Sequence, residues 1–221
     1  MKTIGRVKEN RDVLKSRILE YARDAFCVYG IKDVTMDSIA GGLSISKRTL
    51  YEIFSDKEGL LLEIIKIHSQ ETREFIDKIS KEADNVLDVI FKIYENNVKE
   101  IKKVNKLFFE EINKYPSVIS YMQFSRDEMA AITMSNLKKG VTQGLFREDM
   151  NYEIIRSVMV EEVDRLIRSK SNEKFPLVEI YENLVLMHVR GISTEKGLKK
   201  VDEFLSNMRL KQDKVSDNNN K

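Results

Sequence analysis

The stretch TMDSIAGGLSISKRTLYEIFSDKEGLL, Thr35 to Leu61, decides how the chain folds. Thr35 has the hydroxyl of a good N-cap, and Asp37 places an anion in the first turn that follows. The helix so opened is short, because Gly41-Gly42 weakens it. Leu43-Ser44-Ile45 reads as a break. Ser46 is a second N-cap, opening a helix from Lys47 to Phe54, and Ser55-Asp56 caps a third start. Within the middle helix Leu50, Ile53 and Phe54 share a face that can pack on the first short helix. Lys47, Arg48, Thr49 and Glu52 point elsewhere.

Outward from this stretch the pattern stays helical. On the N-terminal side, Leu14, Ile18, Ala22, Ala25 and Phe26 recur at three-to-four spacing, which predicts a helix over Arg11 to Tyr29. Gly30 follows as its left-handed terminator. Cys27, beside the apolar face, reads as a small buried filler. The dozen residues before Arg11 are polar and read as loose. On the C-terminal side, Leu61, Ile64, Ile65, His68, Phe75 and Ile79 keep the helical period. Further helices are predicted over about Asn85–Val104, Lys106–Lys114, Pro116–Gly140, Glu153–Ser169, Pro176–Gly191 and from Thr194 to about Met208. The tail from Lys211 to Lys221 has one apolar residue, Val215, and reads as disordered.

Composition agrees. Gly and Pro together number 11 of 221 residues, too few for the turns that a β-sandwich or barrel needs. With 42% hydrophobic and 33% charged residues the chain is globular and all-α. Its net charge of +2 points to no partner as a bulk property. The basic residues cluster at the start, however: Lys2, Arg6, Lys8, Arg11, Lys15 and Arg17 stand against Glu9 and Asp12 in the first 17 residues. Such an asymmetry fits an anionic polymer. With one cysteine, no apolar run of membrane-spanning length and no signal-like apolar core, a cytoplasmic protein without membrane contact is expected.

Polar and cationic side chains at the capped N-terminus of a short helix, held on a small helical core, are suited to reaching base edges in a major groove. The N–H groups beside Ser46 also suit a phosphate. The sequence here resembles the TetR/AcrR family of bacterial regulators. Ile39-Ala40, Ile45-Ser46, Thr49-Leu50-Tyr51, Phe54, Lys57-Glu58 and Leu60-Leu61 carry that resemblance, with Ile18-Leu19, Ala22, Phe26, Gly30 and Thr35 before them. Where the family's turn usually has Ala and Gly, this chain has Leu43 and Ser44. The resemblance implies a three-helix DNA-binding domain with a helix-turn-helix over residues 1–56. A helical effector-binding and dimerisation domain would follow over 57–209, and a disordered tail over 210–221. It implies a homodimer on a palindromic operator of double-stranded DNA, joined through the helices at Glu153–Ser169 and Pro176–Gly191, and a repressor released by a small molecule. By position, Lys47, Arg48 and Thr49 would touch bases. Thr35, Tyr51 and Lys57 would touch phosphates, with Ser46 at the cap.

Lys2, Arg6 and Lys8 can follow a duplex backbone or enter the minor groove. For an apolar or amphipathic effector the candidates are Phe91, Tyr94, Phe108, Tyr121, Met122, Met129 and Met159, aromatic and adaptable side chains on the later helices. The same residues also read as plain core. Nothing suggests an enzyme or a cofactor. The chain has no Glu-x-x-His, no His-Glu-x-x-His, no glycine-rich phosphate loop and no cysteine pair. His68 and His188 read as buried, hydrogen-bonded histidines, the second near a dimer seam. A helical protein-interaction module without a DNA target is the alternative reading.

Overall fold

The computed structural model describes residues 2–168 and 174–219. Those residues hold ten α-helices: α1 Lys2–Tyr29, α2 Met36–Gly42, α3 Lys47–Ile53, α4 Lys57–Glu82, α5 Val86–Lys103, α6 Lys106–Glu111, α7 Pro116–Thr142, α8 Tyr152–Arg168, α9 Leu177–Ile192 and α10 Glu195–Asn219. A single 3-10 turn, Ile112–Lys114, follows α6. There is no strand among the described residues, only an isolated antiparallel bridge between Phe146 and Ser193. The expected all-α class is the observed one.

Two expectations at the ends need correction. The backbone is already helical from Lys2, not from Arg11. The last helix runs to Asn219 instead of stopping near Met208. In both places the sequence offers polar helix formers and no proline, so nothing halts propagation. The side chains of Lys2, Arg6 and Lys8 lie outside the described residues, as does the expected helix end at Ser169.

The chain forms two compact units, Met1–Arg73 with Ile101–Glu128 and Glu74–Glu100 with Met129–Lys221. This division differs from the expected boundary at residue 57. The core of the first unit includes Ile18, Phe26, Ile31, Ile39 and Leu50, but also Leu60, Leu61, Ile64 and Ile65 of α4. Ile112 and Val118 close it from α6's end and from α7. A three-helix head alone is too small to bury its apolar faces. The start of α4 and the α6–α7 segment supply the missing cover, and periodicity cannot reveal that a distant segment returns.

The α6 segment is keyed to the end of α1 through polar contacts. Asn105 caps α6, its side-chain oxygen accepting from the Leu107 N–H at 3.0 Å, and its backbone N–H donates to the Cys27 carbonyl at 2.7 Å. Gly30 has φ +82°, and a Cβ there would stand 2.9 Å from that of Leu107. Glycine is therefore required at this point both by backbone sign and by space. Cys27 is half-buried, less enclosed than a core filler.

The second unit is centred on Val86, Leu87, Phe91, Tyr94, Leu145, Phe146, Val185, Val189 and Val201. Phe91 of α5 stacks on Phe204 of α10 with ring centroids 3.9 Å apart, and Tyr94 meets the edge of the same Phe204 ring at 5.9 Å. Asn85 caps α5 by accepting from the Leu87 and Asp88 amides. Pro116 is the first residue of α7, where a missing N–H costs nothing.

Candidate nucleic-acid interface

The two short helices are built by their caps. The Thr35 hydroxyl accepts from the Ser38 N–H at 3.0 Å, and Ser38 Oγ accepts from the Thr35 N–H at 2.9 Å. This reciprocal box uses Ser where Glu or Gln is usual. At the end of α2, Ile45 N–H donates to the Ala40 carbonyl at 3.0 Å, and Ser44 takes φ +54°. Ser44 is thus a non-glycine residue in the left-handed region, at a cost of about 1 kcal/mol relative to a glycine there. Gly42 is fixed by packing: a Cβ would fall 2.0 Å from the Tyr21 hydroxyl of α1. Gly42 is therefore also a seat for Tyr21 of α1, while a Cβ at Gly41 would meet open space.

Ser46 caps α3, its Oγ accepting from the Thr49 N–H at 3.0 Å and lying 2.8 Å from Thr49 Oγ1. Leu50 is fully buried beneath, and Phe54 is nearly so. Arg11 of α1 closes the other end of α3 by donating to the Glu52 carbonyl at 3.0 Å, a cation at a helix C-terminus. Sequence reasoning missed this role of Arg11; no local pattern signals a contact 41 residues away.

Seven residues were expected to meet DNA. Thr35, Ser46, Lys47, Arg48 and Tyr51 are exposed on or beside α2 and α3, and Thr49 is half-buried. Lys47 is ion-paired with Asp37 of α2, and Arg48 Nε donates to Glu52 Oε1 at 2.9 Å. The Glu52 bond raises the Arg48 pKa further.

Lys57 is placed differently. Its Nζ donates to the carbonyls of Ile31 at 2.8 Å, Val34 at 3.0 Å and Lys32 at 3.3 Å. All three ammonium donors thus meet backbone acceptors of the α1–α2 loop. Desolvation lowers the Lys57 pKa, against the pull of Glu111 and Asp33. On the same loop the buried Glu111 of α6 accepts from the Lys32 N–H at 2.7 Å. One cation takes the loop's carbonyls and one carboxylate takes an amide, so the approach to Thr35 is clamped by opposite charges. Glu111 was not foreseen, because an acid on an acidic short helix reads as solvated.

The seven effector candidates do not gather at one site. Phe108, Tyr121 and Met122 pack against the core of the first unit. Phe91, Tyr94 and Met159 belong to the cluster of the second, and Met129 begins the second stretch of that unit. Helical spacing shows which residues are apolar but not which neighbour they meet. In the second unit a groove of about 500 Å³ lies between α5 and α10, walled by Phe91, Phe204, Met208 and Leu210 with Asp88, Lys92 and Glu95. Only Phe91 of the seven lines it. Beside it, burial and then Glu182 push the Tyr94 hydroxyl well above its ordinary pKa. His68 is exposed, contrary to its expected burial, because it sits at the edge of the apolar stripe of α4. His188 is half-buried, with Nδ1 2.9 Å from the Leu184 carbonyl and Nε2 3.3 Å from Glu162 Oε2.

Two short capped helices crossing on a small core, with cations on the second, define a helix-turn-helix regulator. Residues 18–64 match the pattern described as "Bacterial regulatory proteins, tetR family". The HTH-type transcriptional regulator YhgD of Bacillus subtilis (strain 168) is 28% identical over 187 residues, covering 81% of this chain and 96% of that protein. A TetR-family regulator from Marinobacter aquaeolei VT8 shares the fold at TM-score 0.67 and 18% identity, over 86% of this chain and 98% of that one. A regulator from Saccharomonospora viridis, solved in complex with choline, does so at 0.68 and 17%, over 83% and 100%. Residues 18–64 thus carry the TetR-family DNA-binding pattern, on a chain similar over most of its length to TetR-family regulators. No helix among the described residues is long and apolar enough to cross a membrane.

Proposed function

We propose that this regulator is a homodimeric, cytoplasmic repressor that binds a palindromic operator and is released by an apolar or amphipathic small molecule. The observation that carries the DNA reading is α3: a capped helix seated by Leu50, presenting Lys47, Arg48 and Tyr51 to solvent. Lys47, Arg48 and Thr49 are assigned to base edges, and Thr35, Ser46 and Tyr51 to phosphates. Lys57 is assigned to the α1–α2 loop in place of a phosphate, since its donors are engaged with carbonyls. The dimer reading is supported by exposed apolar residues on the two helices concerned, Ile154 and Val158 of α8 and Met187 of α9. Two copies of α3 would then meet half-sites about 34 Å apart, one duplex turn. The effector reading is supported by the aromatic and methionine lining between α5 and α10.

Selection of duplexes from a random pool by the purified protein tests this directly. The expected product is an enriched palindrome. A pool left unenriched leaves the interaction-module reading in its place. Light scattering at micromolar concentration should give twice the mass of 25.8 kDa; a monomer overturns the dimer. Metabolite screening by thermal shift should find an apolar compound that also weakens operator binding.

A further inference from the structure

The exposed charges around the start of α3 cancel. Lys47 is held by Asp37 and Arg48 by Glu52, so two cations face two carboxylates. The arrangement crosses between helices: Asp37 lies in the first turn of α2, Glu52 one turn along α3 from Arg48. All four side chains are more than half exposed, from 55% for Asp37 to 89% for Arg48. Exposed pairs of this kind contribute little to stability. Core packing and caps already account for the geometry of both helices, and apart from the modest first-turn charge of Asp37 the fold does not call for these acids.

We infer that Asp37 and Glu52 are specificity-determining residues, which hold Lys47 and Arg48 away from the phosphates of unrelated DNA and yield them only to a matching site. The inference rests on the reading of α3 as the DNA-contacting helix. On an unrelated duplex, moving either cation to a phosphate exchanges one anion for another and leaves a bare carboxylate facing the polyanion. Little is gained, and few counterions are released for the exchange. On a matching site the same cations gain bidentate acceptors on base edges, which offsets the lost pairs. Specificity is a difference between affinities, and a repulsive group that penalises the wrong partner enlarges it.

The full chain is tested as wild type, Asp37→Asn, Glu52→Gln, Lys47→Gln and the double variant Asp37→Asn/Lys47→Gln. Each is titrated against a random-sequence duplex and against the duplex enriched by selection, across a series of salt concentrations. Freeing one cation should tighten binding to the random duplex about fivefold at 0.15 M salt and steepen the log–log salt slope by about 0.9. Affinity for the selected duplex should change less, so the ratio between the two falls. Thermal melting should be unchanged, as expected for exposed pairs. In the Lys47→Gln background, Asp37→Asn should give a clearly smaller gain, since it relieves only the repulsion of a bare carboxylate and frees no cation.

Random-duplex affinity and salt slope unchanged in both carboxylate variants would overturn the inference while the DNA reading stands. So would an equal gain from Asp37→Asn with and without Lys47, since that is a general charge effect and not the holding of one cation. A wild-type protein that enriches no duplex overturns the DNA reading, and the inference with it.

Discussion

The core around Leu50 and the core around Phe91 differ in degree: the second holds more methionine and a face-to-face aromatic stack. In the first, Ile18, Phe26, Ile31, Ile39, Leu50, Leu60 and Leu61 are all fully buried. Their helices are fixed by local side-chain bonds, Thr35 with Ser38 and Ser46 with Thr49. In the second, stacked Phe91 and Phe204 stand beside Tyr94 and Tyr181, with Met134, Met150, Met159 and Met208 around them. A sealed core beneath two short capped helices specifies one geometry, as a surface that must match base spacing requires. Aromatic faces and methionines tolerate rearrangement, as a region that accepts a ligand requires. The difference suits the proposed division of labour between reading DNA and sensing a molecule.

Truncation in each core gives the largest contrast. Leu50→Ala should cost about 2–5 kcal/mol, because a fully buried leucine leaves a cavity, and should abolish operator binding. Phe204→Ala, at a half-buried ring, should cost about 1–2 kcal/mol, stacking included. Denaturant melts and operator titrations of both variants check this; equal loss of operator binding in the two would erase the contrast.

Next in size, Arg48→Ala should weaken the selected operator by about 1–3 kcal/mol and relax one position of its sequence, with melting unchanged. Lys57→Met should do the reverse. It should lower stability by about 1–3 kcal/mol, by orphaning three loop carbonyls, and leave the salt slope of DNA binding as it was. A slope reduced by about one would return Lys57 to the phosphates.

Acid sensitivity is a smaller effect. A hydrogen bond from Lys66, helped by Lys15 and opposed by desolvation, holds the Glu63 carboxyl below its ordinary 4.5. As pH falls below 4.5 the unfolded chain takes up this proton before the folded one does. The contribution of Glu63 to stability is therefore full above that value and lost as pH drops through the lower folded one. Glu63→Gln should flatten that part of the pH–stability curve, measured by thermal melts. The smallest change is a gain. Ser44→Gly should stabilise the protein by about 0.5 kcal/mol, the relief of φ +54° less the added freedom of the unfolded chain.

The parts of the site that were legible in the sequence are those whose signal is local. Thr35, Ser46 and Asp56 announce helix starts because a capping oxygen and its N–H lie within three residues. Leu50 and Phe54 announce the buried side of α3 by their spacing. What escaped detection acts over distance. Lys57 reaches a loop 23 to 26 residues away, Glu111 one 79 residues away, and Arg11 a carbonyl 41 residues away. For the same reason the spacing of Phe108, Tyr121 and Met122 left them open between an effector site and plain core; they pack on the core of the first unit.

The sequence by itself determined most of the helices, the capped starts of α2, α3 and α4 and the family resemblance, because caps, periodicity and the spacing from Ile39 to Leu61 are properties of neighbouring residues. Only the tertiary structure decided where each charge is spent: Lys47 on Asp37, Arg48 on Glu52, Lys57 on three carbonyls. A cation looks the same in a sequence whether it faces solvent or a backbone. Its partner is set by which segments the burial of apolar faces brings together.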